Sequence, residues 1–210
     1  CSGAILHDIA KIEEMNASVT GIASEYTTKG NLLGHLVMGA INIDRIGRNL
    51  GISDETLTLV EHMLISHHGT PEFGAAKLPM FIEAELLSQL DLMDARVYEI
   101  MDAVEYLKKN KIGALMVIER DVSLMEYINP ATKIYADVTS PLLGSIFFPN
   151  SPLHDGGVII QGDRITCAGA VFKTSMDPNL NKKLGTRHRA ALGIAEESDA
   201  IALVVSEETG

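Results

Sequence analysis

Apolar positions recur at two different periods along this chain, and the change of period divides it in two. From Leu32 through Leu33, Leu36, Val37, Ala40, Ile41 and Ile43 they fall close to a 3.6-residue spacing, the mark of an amphipathic helix. Gly51 stands where that helix would stop. Ser53-Asp54-Glu55-Thr56 then reads as a cap for a second helix carrying Leu57, Leu59, Val60, Met63 and Leu64. After a loop with Gly69, Pro71 and Gly74, a long helical run extends from Phe81 to about Lys109, with Ala84, Leu87, Leu90, Met93 and Val97 as its stripe. The texture changes at Lys111. Residues 114–118 form a short apolar run that suits a buried strand, and 158–160, 165–172 and 200–205 read the same way. Gly162-Asp163 between two of these runs predicts a hairpin. Helical stretches at about 137–146 and 186–195 intervene. The pattern predicts helices first and a mixed α/β arrangement afterwards, with a boundary near 98–105.

Composition narrows the function classes. The chain of 210 residues is 46% hydrophobic and 21% charged, enough to bury a core. No apolar run approaches the roughly 18 residues of a membrane-spanning helix, and no signal peptide is evident. Two cysteines, Cys1 and Cys167, form no disulfide framework, so a cytoplasmic setting is expected. The net charge of −11 argues against a surface that grips a polyanion. The charge is also uneven. Residues 1–104 carry 6 Lys and Arg against 15 Asp and Glu, residues 105–210 carry 11 against 13, and five of seven histidines precede residue 69. Two modules with different chemistry are implied.

In the first module, His7-Asp8, His35, His67-His68 and Asp91 recur where helices face a common core, with Lys11 and Asp94 nearby. Imidazoles and carboxylates together suit Mn²⁺, Fe²⁺, Co²⁺ or Mg²⁺, which serve phosphoester chemistry. His62, about a turn and a half before His67, is left out of the set. In the second module, His154-Asp155-Gly156-Gly157, Gly185-Thr186-Arg187-His188-Arg189 and Ser206-Glu207-Glu208-Thr209-Gly210 stand out. Thr-Arg-His-Arg at the start of a predicted helix combines guanidinium forks with free backbone N–H groups, a ready site for a triphosphate.

Two resemblances follow from these motifs. Ile5-Leu6-His7-Asp8-Ile9-Ala10-Lys11, Gly34-His35, Ser66-His67-His68-Gly69 and Glu83-Ala84-Glu85 with Asp91 resemble the HD superfamily of metal-dependent phosphohydrolases, nearest to the HD domain of bacterial 3′–5′ exoribonucleases. That likeness implies one metal held by His7, Asp8 and Asp91 and a second held by His35 with His67 or His68. It also implies Lys11 on a phosphate, and RNA as a substrate. It implies an upstream helix with a further His ligand outside this sequence, so this part is expected to be a partial HD domain. The stretch from Gly113 to Arg120, together with Phe147 to Gly156, Leu184 to Ala191 and Ser206 to Gly210, is similar to the diadenylate cyclase domain, with its C-terminal end expected to be missing. The fold class implied is an all-helical partial HD domain at 1–99, then a mixed-sheet α/β diadenylate cyclase domain at 100–210.

By the second likeness, such domains condense two ATP into cyclic di-AMP with Mg²⁺, Mn²⁺ or Co²⁺. Asp155, with His154, would hold the metal and help deprotonate a ribose 3′-OH. Gly156, Gly157, Thr186, Arg187, His188, Arg189 and Ser206 would bind the substrate, and Glu207 or Glu208 would support the metal. Each domain would hold one ATP, so two copies would meet face to face. The competing expectations are an HD-type exoribonuclease or phosphodiesterase carried by the first module, and a nucleotide-binding fragment without turnover.

Overall fold

In a computed structural model, which describes residues 2–18, 23–178, 180–181 and 184–208, the chain forms two compact units, Cys1–Asp94 and Ala95–Gly210. Cys1 and the Thr209-Gly210 end of the last motif lie outside the described residues. Among the described residues no helix is long and apolar enough to cross a membrane.

The first unit opens with two short helices, α1 (Ser2–Leu6) and α2 (Lys11–Glu14), then a two-stranded antiparallel ribbon, β1 (Met15–Ala17) with β2 (Ala23–Tyr26). The helices α3 (Thr28–Asn49), α4 (Asp54–Ser66) and α5 (Ile82–Lys109) follow, a 3-10 turn at Pro71–Phe73 lying between the last two. Ser53 caps α4 through the Thr56 N–H, as the sequence predicts, and the Thr27 hydroxyl caps α3 by accepting the Gly30 N–H at 2.9 Å. Leu36, Met38, Leu57, Leu64, Ala84 and Leu87 are buried as the core of the unit. The helical reading holds with one addition, the ribbon. Its strands are short and largely exposed, so no apolar alternation announces them.

Helix α3 is kinked at Gly34, whose φ of 68° and ψ of 163° lie in a region essentially confined to glycine. A Cβ built there has open space, its nearest neighbour being Glu14 Oε1 at 3.8 Å, so the constraint is torsional. Gly34→Ala is expected to destabilise this unit by about 1–3 kcal/mol. A urea-unfolding midpoint reads the effect, and an unchanged midpoint would mean that the kink relaxes.

The second unit takes the remainder of α5 and a five-stranded mixed sheet. Its elements are β3 (Ala114–Ile118), α6 (Met125–Ile128), β4 (Thr132–Asp137), α7 (Ser140–Phe147), β5 (Gly157–Gln161), β6 (Arg164–Ala170), α8 (Thr186–Glu197) and β7 (Ile201–Val205). The strand order is β4-β6-β5-β3-β7, with β3 parallel to β5 and every other pair antiparallel. Residues 162–163 turn β5 into β6, the expected hairpin. Ala114, Met116, Val158 and Ile160 join Ile100, Leu107, Leu143 and Phe147 in one buried cluster; Leu115, Val117 and Ile159 join Leu124, Ile128, Ala190 and Ile194 in another. Alternate residues thus face two different apolar layers, which is why these strands read as unbroken apolar runs.

Candidate metal centre and nucleotide cleft

Four imidazoles of the first unit are oriented by the same device. His7 Nδ1 lies 2.9 Å from the Ala4 carbonyl, His67 Nδ1 2.7 Å from the Leu64 carbonyl, and His68 Nδ1 2.9 Å from the Phe73 carbonyl. A carbonyl oxygen only accepts, so each of these rings donates Nδ1–H and leaves Nε2 with a lone pair. The fourth, His35, bonds through Nδ1 to the Glu14 carboxylate at 3.0 Å. The Nε2 atoms of three of these rings approach Asp8. His35 Nε2 is 3.4 Å and His67 Nε2 3.7 Å from Asp8 Oδ1, while His7 Nε2 is 3.5 Å from both Asp8 Oδ2 and Asp91 Oδ1. Lys11 Nζ donates to Asp8 Oδ2 at 2.7 Å.

Asp8 Oδ1, His35 Nε2 and His67 Nε2 are buried and have no hydrogen-bond partner among the described residues, a costly arrangement unless something else engages them. His35, His67 and His68 bring ligand atoms within 4.8 Å of one another, and so do His7, Asp8 and His67. The electrostatics agree. Burial works against ionising Asp8, yet the nearby His67 ring, Lys11 and His7 hold its carboxyl well below the usual carboxylate range. Burial, with His67 and His35 adjacent, pushes the His68 ring toward its neutral, ligating form. This donor set fits a divalent metal. His62 stays out as expected, its Nε2 accepting the Met80 N–H at 3.0 Å, and Asp94 is exposed. Sequence reasoning missed Glu14, a buried carboxylate behind His35.

In the second unit a cleft of about 630 Å³ is bounded by the start of β3, the first turn of α8 and the segment after β7. Leu115, Phe172, Ala190 and Val205 give it an apolar floor; His154, Asp155, Thr186, Arg187, His188, Ser206, Glu207 and Glu208 give it a polar rim. Gly156, with φ of 102°, makes the tight turn beside Asp155; a Cβ there would come within 2.6 Å of the Ala170 carbonyl oxygen. Arg187 donates to Glu207 through one terminal nitrogen and to the His154 carbonyl at 2.8 Å through the other, and its buried Nε has no partner among the described residues.

Two expected substrate contacts do not line this cleft. Gly157 is buried as the first residue of β5, and Arg189 turns back to the Leu184 carbonyl at 3.3 Å. Residues two apart on a helix point about 200° apart, so Arg187 and Arg189 leave α8 on different sides. His154, Asp155, Glu207 and Glu208 share the rim of this cleft without forming a tight ligand group. Among the described residues, tight groups of metal-ligating atoms occur only in the first unit, and Glu207 is engaged by Arg187.

Comparison with known families follows the same division. Residues 101–210 match the family described as DisA bacterial checkpoint controller nucleotide-binding, and residues 2–96 match the HD domain. The chain is 48% identical over 114 residues to a diadenylate cyclase of Listeria monocytogenes, covering 54% of this chain and 42% of that protein. It is 42% identical over 112 residues to the 3′-5′ exoribonuclease YhaM of Listeria welshimeri, covering 53% of this chain and 34% of that protein. The chain therefore spans less than half the length of either relative. Among solved structures, a double mutant of DacA from Staphylococcus aureus superposes with a TM-score of 0.55 at 44% identity, covering 56% of this chain and 78% of that one.

Proposed function

The chain belongs, through residues 101–210, to the DisA bacterial checkpoint controller nucleotide-binding family, and from that premise we propose that its second unit condenses two ATP into cyclic di-AMP. The observation that carries this reading is one cleft in which an apolar floor, a helix N-terminus, Arg187 and Asp155 converge. The free N–H groups and positive dipole end of α8 suit a triphosphate. Arg187, steadied by Glu207 and the His154 carbonyl, adds a charged donor whose Nε has no partner among the described residues. Leu115 and Phe172 offer surfaces for a planar base.

Asp155, exposed on its turn, accepts the proton of the ribose 3′-OH. The 3′-oxygen bonds to the α-phosphorus of the other ATP as the bond from that phosphorus to pyrophosphate breaks; two such steps close the ring and release two pyrophosphates. Positioning and charge neutralisation supply most of the acceleration. One cleft serves one ATP, so two copies of the chain face each other during the reaction. Mn²⁺, Mg²⁺ or Co²⁺ enters as the metal–ATP complex. The buried, unpaired thiol of Cys167 accords with a reducing cytoplasm, where ATP is abundant.

Incubation with ATP and Mn²⁺ followed by chromatography is expected to yield cyclic di-AMP and pyrophosphate; ATP recovered unchanged would overturn the reading. Arg187→Ala is expected to weaken ATP binding about tenfold or more, the size of a lost charge-assisted contact. Titration calorimetry measures it, and an unchanged isotherm would remove Arg187 from the site.

A second reading applies to the first unit, carried by its inward-facing imidazoles. His7, Asp8 and Asp91, with His35, His67 and His68, would hold a divalent metal that activates water and stabilises a leaving oxygen. Lys11 steadies Asp8, and a phosphodiester such as RNA is the substrate class.

A further inference from the structure

We infer that Glu14 is a positioning residue that fixes the His35 ring in its Nδ1–H tautomer, so that Nε2 faces Asp8 as a bare lone pair. The functional meaning of this inference rests on the metal-centre reading above; its structural content does not. Glu14 closes α2, its carboxylate is buried, and its backbone carbonyl accepts the Thr27 N–H at 2.8 Å. The two carboxylate oxygens divide their work. Oε1 accepts the backbone N–H of His35 at 3.0 Å, and Oε2 lies 3.0 Å from His35 Nδ1.

The kink at Gly34 makes both contacts possible. A residue that begins a helical segment has an N–H without a partner along its own helix, and here a side chain from another element takes it. That bond anchors the backbone of His35, while the second oxygen orients its ring. The other three imidazoles of the cluster need no such arrangement, because main-chain carbonyls serve them. His35 is thus the one member of the four whose tautomer is set by a replaceable side chain. A carboxylate accepts both N–H groups, and no neutral isostere does. In Glu14→Gln the amide oxygen can accept only one of them. With the oxygen on the backbone N–H, the amide nitrogen donates to Nδ1, and the ring proton moves to Nε2. The opposite amide orientation sets two donors against each other. The variant keeps shape and volume but turns a protonated Nε2, with no lone pair to offer, toward Asp8.

The experiment is nitrogen-15 NMR of the histidine side chains in the full chain, stripped of metal and held at pH 8, with His35 assigned by its loss in His35→Asn. The expected result is Nδ1 protonated and Nε2 bare in the parent, exchanged in Glu14→Gln. Cobalt(II) titration followed by visible absorption is then expected to show affinity reduced about 10–100-fold in the variant, the range for losing an outer-sphere partner of a ligating histidine. A parent His35 protonated on Nε2, alone or together with Nδ1, overturns the inference without any variant being made. A Glu14→Gln protein that keeps the parent tautomer also overturns it. A parent that shows the expected tautomer but no cobalt binding upholds the role of Glu14 and refutes the metal-centre reading instead.

Discussion

Asp155→Asn is expected to lower cyclic di-AMP formation more than about a hundredfold while ATP binding stays within about threefold of the parent. The substitution changes one oxygen for an NH₂ group on an exposed side chain, at a turn whose tight geometry belongs to Gly156. Asn is at home in turns, so the loop is expected to hold its form. The groups proposed to grip phosphate, Arg187 and the first turn of α8, come from a different element and keep their partners. What is lost is an acceptor for the proton that leaves the 3′-OH, needed as the new bond forms and of little value to the bound ground state. Product measured by chromatography and binding measured by calorimetry separate the two effects. Activity within a factor of about three of the parent would reduce Asp155 to a turn residue.

Asp8→Ala is expected to remove divalent metal from the first unit, with a larger loss than the ~10–100-fold typical of outer-sphere changes. Asp8 is the carboxylate on which three imidazoles and Lys11 of that cluster converge. Its Oδ1 faces His35 and His67, and its Oδ2 faces His7 and Lys11. Without it, the imidazoles, Lys11 and the single carboxylate of Asp91 remain around the space, a poorer environment for a dication. Metal analysis after purification without chelator tests this, in an Asp155→Asn background so that the second unit does not contribute. Hydrolysis of bis-p-nitrophenyl phosphate and of a short RNA should fall with it. Equal metal content in variant and parent would dismiss the centre.

The two units differ in how openly the sequence announces them. Helices α3, α4 and α5 are visible because each pairs one apolar stripe with a polar remainder, and Ser53 and Gly51 mark ends that a cap and a left-handed turn require. The strands β3, β5 and β6 are visible because both faces of the sheet are covered. Strand β4 is not visible. It lies at the sheet edge, alternates exposed with half-buried residues, and carries a bulge between Lys133 and Ala136. Among site residues, His7, Asp8 and Arg187 stand in short motifs that name their chemistry. Glu14 has no such motif; its importance comes from a contact with His35 that only the fold creates. The same limit explains Arg189, which a motif groups with Arg187 although helical geometry separates them.

The antiparallel pairing of β3 with β7 has a consequence for how the molecule is made. Residues 114–118 are translated early in the second unit, and their partners at 201–205 follow every other strand of the sheet. While residues beyond 200 are still in the ribosome, β3 has β5 on one side and an open edge on the other, a surface that other strands can join. Glu207, which steadies Arg187, follows that final strand. The cleft therefore assembles only once residues 201–207 have left the ribosome, and a shorter nascent chain is expected to hold no nucleotide. Such long-range pairing slows folding and lengthens the interval in which the open edge needs protection.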